Sequence, residues 1–201
     1  MNRKLIWVGI GVLWLIALAV AANFFFGGSA SFRGASYAEP YPVAPQIELT
    51  RANGETFRLN DQKGKIVLLF FGYTSCPDVC PTTMAEMKQV VDELGAQAEA
   101  VQVVFVSVDP ERDTSETMQE YAAHFNPSFI GLSGPTERLE TIWADYGVFR
   151  ESVPVENSAV GYVVNHTARI ILIDPRGNMR LSYGFGTPVD DIVHDVRLLL
   201  K

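Results

Sequence analysis

The chain is poor in the groups that do chemistry: it has two cysteines and three histidines in 201 residues. It is also short of positive charge, with 16 Lys or Arg against 23 Asp or Glu and a net charge of −7. Its basic residues form no patch, which excludes a nucleic-acid or anionic-lipid surface, since both need grouped Lys and Arg. There is no internal repeat and no Arg- and Ser-rich leader of the transit-peptide kind. No proline occurs from Val155 to Asp174, the segment that contains His166.

What is present is apolar: 48% of residues, enough for one compact domain and an appendage. The appendage is residues 5–26, an apolar run with Asn23 as its strongly polar member. Helical at about 1.5 Å per residue, such a run matches a hydrocarbon core of about 30 Å. Arg3 and Lys4 precede it, so the positive-inside rule makes residues 1–4 a cytoplasmic tail and sends the rest of the chain outward. The run exceeds an ordinary signal-peptide core, although Ala19-Val20-Ala21 and Gly28-Ser29-Ala30 offer cleavage sites. The expectation is an uncleaved transmembrane anchor in a bacterial inner membrane, with the domain in the periplasm. Residues 27–46 are rich in Gly, Ser, Ala and then Pro and read as a flexible tether. The domain itself is expected over 47–201.

Within it, the alternating runs around Asn53-Gly54 predict a hairpin with a two-residue turn. Residues 65–71 and 101–109 are nearly continuous apolar stretches, as in strands buried on both faces. Between them Met84, Met87, Val91 and Leu94 share a helical face that stops at Gly95. Two further helices follow, the second burying Leu139, Ile142, Trp143 and Tyr146, then a hairpin about residues 175–178. Thr187 and Pro188 suit the N-cap and N1 positions of a closing helix. Hairpin, βαβ, two helices, ββ and a helix describe a thioredoxin-like mixed sheet flanked by helices, an α/β fold. In such sheets the chemistry lies beyond the carboxyl ends of the parallel strands, where residues 72–80 fall.

That stretch holds both cysteines, Cys76 and Cys80, each followed by proline. Four positions apart at a helix start, the two sulfurs face one side, and the free N–H groups there favour thiolate. Three readings stand open. A structural disulfide closing so short a loop would contribute only about 2 kcal/mol. Thiol–disulfide exchange suits an exposed low-pKa pair on this fold. A soft metal site needs a further ligand. His124, in the last turn of a helix, and His194, on the polar face of the closing helix, read as structural or solvated. His166, just before a buried strand, enters the sheet beside the cysteine loop. Two thiolates and an imidazole suit Cu(I), with the imidazole also accommodating Cu(II); Zn²⁺ accepts the same ligands but wants a fourth. A peroxiredoxin is disfavoured, because Tyr73 stands where its threonine should precede the cysteine.

The segments "FFGYTSCPDVCPTTM", "VSVDPERDT" and "NHTARIILIDPRGN" together resemble the Sco/SenC family of membrane-anchored, copper-binding factors in cytochrome c oxidase assembly. The resemblance implies that Cys76, Cys80 and His166 bind one copper ion, as Cu(I) or Cu(II). It also implies a redox-active Cys76–Cys80 pair. The protein would deliver the metal to, or reduce the cysteines of, the binuclear copper site of oxidase subunit II or a related cuproprotein. A periplasmic copper donor or thiol reductase is the further partner this implies. On that reading the protein is a metallochaperone rather than an enzyme, with thiol–disulfide reductase activity as the alternative. Asp78 tunes the site or meets a partner by the same analogy, or serves as an Asx-turn residue. Asp109, Arg112 and Asp113 read as loop and capping residues. The family usually has Asp before the histidine and Ser after it, whereas this chain has Asn165 and Thr167. Asn165 therefore stands where a carboxylate would orient the imidazole.

Overall fold

The computed structural model describes residues 7, 14–18, 31–155 and 161–201. The expected cytoplasmic tail, residues 1–4, and most of the expected anchor lie outside the described residues. Of the 5–26 run, Trp7 and residues 14–18 are helical with exposed side chains. No helix among the described residues is long and apolar enough to cross a membrane. Residues 32–201 form a separate compact unit.

The apolar runs become the centre of that unit. β4 (Ile66–Gly72) and β5 (Val101–Ser107) are buried at every position. They pair in parallel from Ile66 opposite Val101 to Gly72 opposite Ser107. Successive side chains point to opposite faces, so a strand buried throughout must be covered on both. On one face Phe70 stacks on Phe105 at 5.7 Å, and Phe105 meets Tyr121 of the helix α2 (Ser115–Phe125). On the other, Phe71 meets Tyr146, just past the helix α3 (Thr136–Asp145). β6 (Ile130–Leu132) adds in parallel to β5. β9 (Arg169–Ile173) joins the other side of β4 antiparallel, followed by β10 (Met179–Gly184) and β1 (Ala35–Ser36). The sheet order is therefore β1-β10-β9-β4-β5-β6, the expected mixed thioredoxin-like arrangement. Helices α1 (Val79–Leu94) and α4 (Val189–Leu199) complete the domain, joined by Arg197 Nη2 donating to Glu93 O.

Several expectations need correction. The stretch read as a tether is bound to the domain from Phe32 on. Asp195, fully buried on α4, accepts the backbone N–H groups of Arg33 and Gly34 and the hydroxyl of Tyr183. Farther along, Tyr146 donates to Pro45 O. The front hairpin of β2 (Glu48–Thr50) and β3 (Thr56–Arg58) closes at Thr50 opposite Thr56, so its loop is longer than two residues, with Gly54 at φ +83°. In α1 the fully buried position is Val90, with Val91 only half-buried, and the helix begins at Val79. In α4 the cap falls on Pro188, and Thr187 instead donates to Gly184 O. His194 is not free surface either, since its Nδ1 lies 2.9 Å from Asp195 Oδ1. The chain also forms a separate two-stranded ribbon, β7 (Arg150–Pro154) and β8 (Tyr162–His166), which the sequence reading did not anticipate.

Candidate functional site

The parallel strands β4 and β5 end side by side, with Val108 N–H donating to Gly72 O. Gly72 turns the chain into the cysteine loop, and its lack of a side chain is required. A Cβ there would stand 2.7 Å from Cys80 Sγ and 2.8 Å from the Phe105 ring. Cys80 lies in the first turn of α1, fully buried, while Cys76 precedes the helix and is partly exposed. Both are free thiols. The N–H of Cys80 points at Cys76 Sγ, 3.4 Å away.

This asymmetry divides the pair electrostatically. A hydrogen bond from the Cys80 side chain pulls the Cys76 thiol down to about 5, against its partial burial, and the N–H groups of Cys80 and Asp78 add to the pull. The same hydrogen bond pushes Cys80 strongly upward, and burial adds to that. Cys76 is thus the thiolate and Cys80 holds the proton. In the reduced, metal-free protein, iodoacetamide should modify Cys76 alone, at a rate that climbs through pH 5 and is flat at neutrality. A thiol with the ordinary pKa of about 8.5 would still be climbing there. Mapping the modified residue by mass spectrometry across pH checks both points.

His166 ends β8 and lines the same cleft, of about 270 Å³, with Tyr73, Cys76, Pro77, Val79, Val163 and Ala168 also in its lining. Its Nδ1 lies 3.1 Å from Val164 O. A carbonyl only accepts, so Nδ1 carries the proton and Nε2 keeps its lone pair. Nε2 is buried and has no hydrogen-bond partner. An imidazole held by a backbone carbonyl on one nitrogen and unpartnered on the other is oriented as a metal ligand is. With two soft sulfurs nearby, the donor set fits copper. The three side chains are not yet gathered: among the described residues no three His, Cys, Asp or Glu groups lie close enough to hold a metal ion. Cys76 and His166 share the cleft, and Cys80 lies buried off its lining.

The neighbours proposed from sequence fare differently. Asp78 is exposed, lines the cleft with Cys76 and His166, and makes no capping bond, so the Asx-turn role is not seen. Asn165, exposed and opposite Glu151, lines the cleft beside His166, but the imidazole is held by Val164 O rather than by residue 165. Thr167 ties the ribbon's base, accepting Phe149 N–H on Oγ1 and donating its own N–H to Phe149 O. His124 ends α2 with its ring edge-on to Phe125. Met84 and Met87 are core, as their spacing indicated. Asp109 and Asp113 are fully buried and not caps; Thr114 caps α2. Asp113 accepts from Thr74 Oγ1 at 2.5 Å and Ser107 Oγ at 2.7 Å, which fixes the root of the cysteine loop. Burial holds its carboxyl above the usual range. Tyr73, which accepts Val164 N–H on its hydroxyl and meets His166 edge-on at 5.7 Å, was not foreseen. No pattern in the sequence distinguishes it from a core tyrosine.

A thioredoxin-like sheet with a CxxxC pair at the end of its first parallel strand and a histidine facing it defines a thiol or soft-metal protein of that fold. The chain matches the SCO1/SenC family over residues 35–201 and belongs to it. It is 32% identical over 170 residues to an "SCO2-like protein" of Rickettsia felis, covering 85% of this chain and 81% of that one. Among solved structures, copper-bound ScoI of Bradyrhizobium japonicum is 36% identical with a TM-score of 0.70, covering 78% of this chain and 99% of that one. Apo Sco1 of Thermus thermophilus is 38% identical with a TM-score of 0.75, covering 86% and 99%.

Proposed function

We propose that this protein is a copper metallochaperone that carries one copper ion on Cys76, Cys80 and His166 and delivers it to the binuclear copper site of cytochrome c oxidase subunit II or a related cuproprotein. The observation that carries the reading is His166: it lines the cleft with Cys76, its Nε2 is buried without a hydrogen-bond partner, and its Nδ1 is fixed on Val164 O. Copper here is cargo. The thiolate of Cys76 receives it first, Cys80 gives up its proton on joining, and His166 completes the set. Placement in the periplasm, on an anchor formed by residues 5–26, is part of the same proposal.

A second role is favoured by the division of the thiols. A depressed exposed thiol paired with a raised buried one suits reduction of a target disulfide. Cys76 thiolate attacks one target sulfur, forming a mixed disulfide and expelling the other as thiolate. Cys80 then loses its proton and attacks Cys76 Sγ, displacing the target sulfur bonded there, so that Cys76–Cys80 is left oxidised and the target a dithiol. Reduction of that kind has to precede loading of a thiolate copper site. The test is copper stoichiometry and the visible spectrum of the reduced protein after loading. One equivalent with an intense thiolate-to-Cu(II) band supports the chaperone. No stable copper, with a dithiol that still reduces a peptide disulfide, would leave the reductase.

A further inference from the structure

The ribbon that carries His166 is poorly placed to position it alone. β7 and β8 form a two-stranded sheet separate from the main one, and Val164 is its one buried residue. Ribbons of this kind are marginal without outside support. The support comes from residues 108–113, the segment after β5. Val108 O accepts Arg150 Nε of β7 at 2.7 Å. Arg112 lies over the Tyr162 ring at 3.7 Å and donates Nη1 to Tyr162 O at 3.0 Å. Asp109, buried, accepts the Tyr162 hydroxyl on Oδ1 at 2.7 Å and Arg112 Nε on Oδ2. The same segment also holds the cysteine loop, through Asp113 at its far end to Thr74 and through Val108 N–H to Gly72 O. One six-residue turn thus grips both halves of the site.

We propose that residues 108–113 position the two halves of the copper site, with Arg112 stacked on Tyr162 setting how His166 meets Cys76 and Cys80. The inference rests on the copper reading above. Tyr162 starts β8 and His166 ends it, about 13 Å apart at strand rise, so fixing Tyr162 limits the swing of the imidazole. Arginine is required because a planar guanidinium stacks on the ring while donating to Tyr162 O and Asp109 together, which an ammonium does poorly.

The experiment measures copper affinity of Arg112→Gln, Arg112→Lys, His166→Ala and the double variant Arg112→Gln/His166→Ala, beside amide exchange in the copper-free protein. Arg112→Gln should bind copper about 10- to 100-fold more weakly, the range for residues that orient a metal ligand. Arg112→Lys should restore only part of it. In the His166→Ala background Arg112→Gln should change nothing further. Without copper, the Val164 amide should exchange faster in Arg112→Gln while amides of β4 do not. Wild-type affinity in Arg112→Gln, or an undiminished loss in the His166→Ala background, overturns the proposal. Failure of the copper reading looks different: His166→Ala alone would then bind like the wild type. Should Arg112→Gln not fold, Tyr162→Leu, which removes the ring beneath Arg112 together with the hydroxyl bonds, decides by the same criterion.

Discussion

Replacing His166 with alanine should weaken copper binding by about a hundredfold or more, about 2.8 kcal/mol at about 1.4 per tenfold, and leave the fold intact. The imidazole is only partly buried; its contacts are a hydrogen bond to Val164 O and an edge contact with Tyr73. Losing these costs about 1 kcal/mol of stability. Cys76→Ser and Cys80→Ser should lose binding at least as severely, since a hydroxyl is a hard, protonated donor where a soft thiolate is needed. Cys80→Ala, which leaves no side-chain donor at this position, also removes the hydrogen bond that lowers Cys76, so there the Cys76 thiol should rise towards its ordinary value. Competition titration with a Cu(I) chelator and thermal melts separate the two effects. Retained binding in His166→Ala would remove that residue from the site.

Gly131→Ala should be the most damaging small substitution away from the site. Gly131 lies on β6, the outer strand of the sheet, and a Cβ there would sit 2.0 Å from Met118 O and 2.3 Å from Met118 C. Both atoms are helix backbone, so α2 would have to withdraw with Met118, which is fully buried. The strand edge is sealed by α2 itself: Gln119 accepts Gly131 N–H and donates to Phe129 O. Withdrawal would break that seal and expose a sheet edge. The expected loss is about 3 kcal/mol, the upper end for overpacking. At about 2–4 °C per kcal/mol for a domain of this size, the melting point should fall by about 10 °C. An unchanged melting curve would mean that α2 can give way freely there.

The two central strands were legible because nothing but burial on both faces explains runs such as residues 66–72, and the structure buries every position. The cysteines were legible from their spacing, and His166 from its place before β9. What the sequence hid is long-range. The ribbon β7–β8 alternates weakly, with one buried residue, so periodicity offered no signal. Asp109, Arg112 and Asp113 looked like turn chemistry because Asp and Arg after a strand usually are. Their roles depend on Tyr162 and Thr74, some fifty and forty residues away. Residues 32–46 looked like a tether for a similar reason: Gly- and Pro-rich composition says nothing about a buried Asp195 waiting for the amides of Arg33 and Gly34.

The most direct test of the account is X-ray absorption at the copper edge of the Cu(I)-loaded protein, beside the His166→Ala variant. The account predicts two sulfur scatterers and one nitrogen from imidazole in the wild type, and loss of the imidazole signal in the variant. A shell of sulfur alone in the wild type, unchanged in His166→Ala, would contradict it.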